Sequence, residues 1–204
     1  MGKAQTRAYI SPEDYLACER QAEYKSEYWD GEIFAITGAS EGHILITTNV
    51  VSELRTQLKK QPCKVYSTDL RVRIRFTGLY TYPDIAVVCG KPEFDDAYKD
   101  TLLNPTILME VLSPSTEAYD RGDKFGHYRT LESLSDYVLL SQHRANIEHY
   151  VRQNGKQWVL SEPCGLGESL EIASISCTLA LAEVYDKVDF PDTESGIKFL
   201  RSVR

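Results

Sequence analysis

The chain has 204 residues with 42% hydrophobic and 26% charged side chains, a composition that excludes collagen-like and generally disordered classes. Its 23 Lys and Arg against 30 Asp and Glu leave a net charge of −7, which argues against a histone-like coat and requires any nucleic-acid partner to meet a local basic patch. Five widely spaced cysteines without a C-x-x-C pair read as reduced thiols, and no apolar run is long enough to span a bilayer, so a cytoplasmic protein is expected.

Ser11-Pro12-Glu13-Asp14 is a helix start, with serine as the cap and proline at the first helical position. A hairpin follows over 24–36 around the two-residue Asp30-Gly31 turn. Ser40 caps a second helix in which Ile44, Thr47, Val50, Val51, Leu54 and Leu58 recur at helical spacing. Strand-like segments at 64–76 and 82–89 are joined by Thr77-Gly78, and a polar loop leads to a strand over 106–112 that ends at Ser113-Pro114. A helix is expected over 120–134, short strands at 137–140, 147–151 and 158–160, and a small helix near 179–184. The strands come in consecutive runs rather than in strict alternation with helices, so the class is α+β (mixed α/β). One domain over residues 1–190 and a polar tail over 191–204 are expected.

Glu110 is a carboxylate inside an otherwise apolar strand, and Asp84 is the sole charge at the head of another, Ile85-Ala86-Val87-Val88. If those strands are neighbours, the two carboxylates converge and offer hard oxygen ligands for Mg²⁺ or Mn²⁺, a site suited to phosphodiester hydrolysis. Lys124, in the helix after the Glu110 strand, is a cation of the right type to stabilise the transition-state charge; the plain alternative is a solvated helix face. Asp69 either faces the same site or, more simply, offsets the neighbouring arginines. Arg71, Arg73 and Arg75 alternate along one strand, either as a phosphate-tracking stripe or as a charged edge.

Pro83-Asp84 followed by Glu110-Val111-Leu112 resembles the PD-(D/E)XK nuclease pattern, except that Leu112 stands where that pattern has its lysine. Together with Leu70-Arg71-Val72-Arg73-Ile74, Glu110-Val111-Leu112-Ser113-Pro114-Ser115-Thr116 and Asp123-Lys124-Phe125, the wording over roughly residues 9–190 resembles the Uma-two family of restriction-endonuclease-like proteins. The resemblance implies a central mixed sheet flanked by helices, a lysine moved to the following helix as Lys124, and further site residues at Glu27 and His43. Glu27 is then either a third ligand or a cross-strand salt bridge, and His43 either positions water or phosphate or is a hydrogen-bonded structural histidine. The implied activity is a Mg²⁺- or Mn²⁺-dependent endonuclease on DNA, most simply duplex DNA bound by a homodimer. The alternatives are an inactive nucleic-acid-binding or interaction module that uses Arg71 and Arg73, and a two-carboxylate hydrolase acting without metal.

Overall fold

A computed structural model of the chain describes residues 9–36 and 38–190. The expected tail over 191–204 lies outside the described residues. The first helix, α1 (Pro12–Glu19), starts as expected: the Ser11 hydroxyl accepts from the backbone N–H of Asp14. The hairpin β1 (Ser26–Trp29) and β2 (Glu32–Ala35) pairs Trp29 with Glu32 across a turn in which Asp30 (φ 47°) and Gly31 (φ 82°) are both left-handed. A Cβ added at Gly31 would lie 2.2 Å from the Tyr9 ring. Gly31→Ala is therefore expected to lower stability by about 1–3 kcal/mol, read as a shifted urea midpoint at unchanged slope.

Helix α2 (Glu41–Gln57) is capped by Ser40, whose hydroxyl accepts from His43 N–H. The chain then runs through β3 (Cys63–Ser67), β4 (Arg71–Ile74), β5 (Leu79–Thr81), β6 (Ile85–Cys89), β7 (Thr101–Leu102) and β8 (Ile107–Leu112). The expected continuous strand over 64–76 is corrected here: it breaks in the middle and changes sheet, while the strand expected over 82–89 starts only at Ile85, after the chain has crossed back from β5. Thr68 takes a left-handed φ of 29°, Pro83 lacks the N–H a ladder needs, and the two crossings are tied by Thr68 N–H donating to the Asp84 carbonyl at 3.0 Å. The helix expected over 120–134 instead begins as α3 (Glu117–Tyr119), widens into a π turn over Asp120–Lys124 and ends as α4 (Phe125–Tyr128). Strands β9 (Asp136–Ser141), β10 (Ile147–Arg152) and β11 (Trp158–Ser161) fall where expected, and a C-terminal hairpin of β12 (Ser169–Ile172) and β13 (Cys177–Ala180) leads into α5 (Leu181–Val184).

The six-stranded sheet has the order β11-β10-β9-β8-β6-β3, with β8 and β9 parallel and the other pairs antiparallel. The five-stranded sheet has the order β2-β1-β5-β4-β7. Because side chains alternate along a strand, β8 sends Met109 and Val111 into the core with Ile46, Val50 and Leu54 of α2, and Leu108 and Leu112 into the core with Phe125 and Tyr128. Glu110 shares the second face. The result is α+β, with mixed sheets flanked by helices, as expected.

The reading of all five cysteines as free thiols is overturned at one pair. Cys63 and Cys89 stand opposite one another in the β3–β6 register, with Cα atoms 4.0 Å apart, and are disulfide-bonded. Their 26-residue separation conceals this until the antiparallel pairing is known. Among the described residues no helix is long and apolar enough to cross a membrane.

Candidate functional site

The two sheets meet where the chain passes from β5 to β6, and Asp84 sits at that seam. Its side chain is held at both oxygens: Oδ2 accepts from Val111 N–H at 2.8 Å, and Oδ1 lies 2.8 Å from His43 Nε2. The capped first turn of α2 delivers His43 to this carboxylate. Asp84 N–H points at Glu110 Oε2 from 3.4 Å, so the two acids converge, as their neighbouring strands require.

Glu110 is 3% exposed, and its Oε1 accepts from the Tyr128 hydroxyl at 2.8 Å and from Lys124 Nζ at 3.0 Å. Both bonds use the same oxygen, which leaves Oε2 on the Asp84 side. Lys124 Nζ also lies 3.4 Å from Asp120 Oδ1 and 3.5 Å from Glu27 Oε1, and Glu27 in turn accepts from the Thr81 hydroxyl. The lysine that a helix-face reading would leave in solvent is thus buried among three carboxylates.

Burial alone would discharge Lys124, but Glu110, Glu27 and Asp120 together hold its pKa well above the usual lysine value, so it stays an ammonium. One ammonium does not balance the cluster. Desolvation, with Asp120 and Asp84 adding to it against the pull of Lys124, pushes Glu110 up to about 8, and desolvation also raises Asp120. Buried carboxyls that resist ionisation in this way are short of positive charge, which fits a divalent cation. The two carboxylates that the neighbouring strands bring side by side here are Asp84 and Glu110. Among the described residues no group of three or more His, Cys, Asp or Glu is arranged to enclose a metal. One or two carboxylates completed by water is the ligand set typical of Mg²⁺.

The five residues Asp84, Glu110, Lys124, Glu27 and His43 come together at the floor of a cleft of about 1,780 Å³. Arg71 and Arg73 do not join them, and the phosphate-tracking stripe is corrected. Arg71 is 3% exposed and bonded to Thr101, Tyr82 and Asp100, while Arg73 is bonded to both carboxylate oxygens of Asp95. Asp69 pairs with Lys25 rather than with the arginines. Two residues escaped the sequence reading. Asp120 carried a signal, its i, i+4 spacing to Lys124; Tyr128 looked like core, and its hydroxyl partner is visible only in the fold.

A family model described as "Putative restriction endonuclease", Uma2, matches residues 12–182. The chain is 36% identical over 167 residues to the uncharacterized protein sll1609 of Synechocystis sp. (strain ATCC 27184 / PCC 6803 / Kazusa), covering 82% of this chain and 93% of that protein. It is 34% identical over 181 residues to slr1290 of the same organism, covering 89% and 94%. The crystal structure of a "putative nuclease belonging to DUF820" from Anabaena variabilis ATCC 29413 superposes with a TM-score of 0.68 at 17% identity, over 86% of this chain and 97% of that one, so the two share a fold. With the family pattern matched across nearly all of the described residues and two relatives above 30% identity over most of their length, the chain belongs to the Uma2 family.

Proposed function

We propose that the protein is a divalent-metal-dependent endonuclease that hydrolyses DNA phosphodiester bonds, with Asp84 and Glu110 as metal ligands, Lys124 as charge stabiliser, and Glu27 and His43 in support. The observation that carries this reading is that half-buried Asp84 and buried Glu110 stand side by side on neighbouring strands, with Glu110 paired to a lysine held charged at the floor of an open cleft. A bound Mg²⁺ or Mn²⁺ supplies a polarised phosphoryl oxygen and a water of lowered pKa.

Each residue has a task that its contacts define. His43 and Val111 N–H fix the rotamer of Asp84. The Tyr128 hydroxyl and Lys124 fix Glu110 through Oε1, so that Oε2 is the oxygen offered toward Asp84. Lys124, kept protonated by its carboxylate neighbours, serves as a fixed positive charge and not as a base. Glu27, oriented by Thr81, aims the lysine from the hairpin side. The inactive-module reading needed Arg71 and Arg73 free for phosphates, and both are engaged within the protein.

Thermal unfolding with and without Mn²⁺ tests the metal assignment without a known substrate. Metal at 100 times its dissociation constant should stabilise the wild type by about 2.7 kcal/mol, a rise in melting temperature of roughly 5–10 °C, and leave Asp84→Asn unmoved. An equal shift in both proteins would remove Asp84 from the site, and no shift in either would leave the cluster as a structural network.

A further inference from the structure

The proposed nuclease reading leaves the form of the DNA open, and the cleft wall bears on it. Acidic side chains outnumber lysines along that wall, no arginine is among the described residues lining it, and one of its two lysines is the enclosed Lys124. A duplex presents one negative charge per roughly 1.7 Å of axis and is held by rows of cations, which this wall lacks. Glu110 and Lys124 lie deep, with side chains only 5% and 7% exposed, so the scissile phosphate must descend to the floor.

What the wall does present is aromatic. In the hairpin register Phe34 stands opposite Glu27, and Trp29 follows Glu27 by two residues, so all three project from one face. Glu27 reaches Lys124 from that face, which makes the aromatic surface continuous with the site. Trp29 and Phe34 are 44% and 46% exposed although both are large and apolar, and both line the cleft. Trp29 rests edge-on against His127, with ring centroids 5.2 Å apart, so its ring is braced against the helix that directly follows Lys124. Ile44 of α2, 55% exposed, adds to the apolar lining.

We infer that the substrate is an unpaired DNA strand, whose bases stack on Trp29 and Phe34 while its backbone bends down to the carboxylates. This rests on the nuclease reading for the site, but the recognition is separable from cleavage. Stacking tolerates any base and replaces the missing cations as the source of affinity, and a single strand has the flexibility to reach the floor that a duplex lacks.

The test measures binding of a short fluorescein-labelled single strand by anisotropy, in Ca²⁺, which takes the same oxygen ligands. Wild type is compared with Trp29→Leu and Phe34→Leu, which keep apolar bulk and lose the ring. Each variant should bind about tenfold more weakly. A strand with abasic positions should bind wild type and variants alike, and the matching duplex should bind wild type more weakly than the single strand does. Unchanged binding in both leucine variants, or a duplex bound more tightly than its single strand, would overturn the inference while leaving metal-dependent cleavage to stand or fall in its own assay. Sedimentation of the same proteins decides the rival occupant: a wild-type dimer that becomes monomeric in the variants would mean that a second copy covers the aromatic face, and would also overturn it.

Discussion

Replacing Lys124 by methionine is expected to reduce metal-dependent cleavage by at least about 100-fold in kcat, the loss typical of removing one preorganised group that stabilises transition-state charge. Methionine preserves much of the buried stem and deletes only the ammonium. The consequences for stability are distinct. Glu110, Asp120 and Glu27 would lose their common counter-charge, and stranding a buried partner in this way typically destabilises by about 3–5 kcal/mol. That loss is smaller where the acids can protonate. Desolvation already holds Glu110 near 8 and raises Asp120, so the Met variant should approach the wild type at pH 6 and fall well below it at pH 9. Denaturant unfolding at the two pH values, with single-turnover cleavage at each, separates the effects. A variant that cleaves within a few-fold of wild type while losing stability would make Lys124 a structural cation only.

The parts of this site that were legible in the sequence are those where one residue contradicts its surroundings. Glu110 interrupts an apolar strand and Asp84 heads another, and a charge placed in a buried segment needs a partner whatever the topology. Ser11, Ser40 and Asp30-Gly31 were legible because caps and two-residue turns depend on local chemistry. The misreadings arose where a distant segment decides. The stretch 64–76 has no proline or glycine to mark its change of sheet; the break at Thr68 follows from its bond to the Asp84 crossing. Alternation correctly put Arg71 and Arg73 on one face, but nothing local told that Asp100 and Asp95 would arrive from a loop to engage them. The π turn over Asp120–Lys124 likewise has no periodic signature, yet it leads into α4, whose Tyr128 hydroxyl meets Glu110.

Glu110→Gln should give the metal-free protein a different dependence on pH. The folded carboxyl titrates near 8 rather than near its ordinary 4.5, because burial and the neighbouring acids disfavour its charge more than Lys124 favours it. A group raised in the folded state contributes stability that is complete below the unfolded pKa and is lost as pH rises through the folded one. In EDTA, wild-type stability should therefore decline between about pH 4.5 and pH 8, at up to about 1.4 kcal/mol per unit, and level off above. Glutamine imitates the protonated acid, still accepts from Tyr128 and Lys124, and cannot ionise, so its profile lacks this decline. Asp120 is shifted in the same direction but is present in both proteins, and its share cancels in the difference. Lys124, raised from 10.5, contributes stability that is lost only above the window. The two proteins should unfold at similar temperatures at pH 5, and the variant several degrees higher at pH 8.5. Mn²⁺ should then recover the wild type at pH 8.5 and leave the variant unchanged, because the metal would take the place of the proton on the same carboxyl. Parallel melting profiles from pH 5 to pH 8.5 would show that Glu110 is already ionised in the free protein, and with that the charge deficit that favours a cation would be gone.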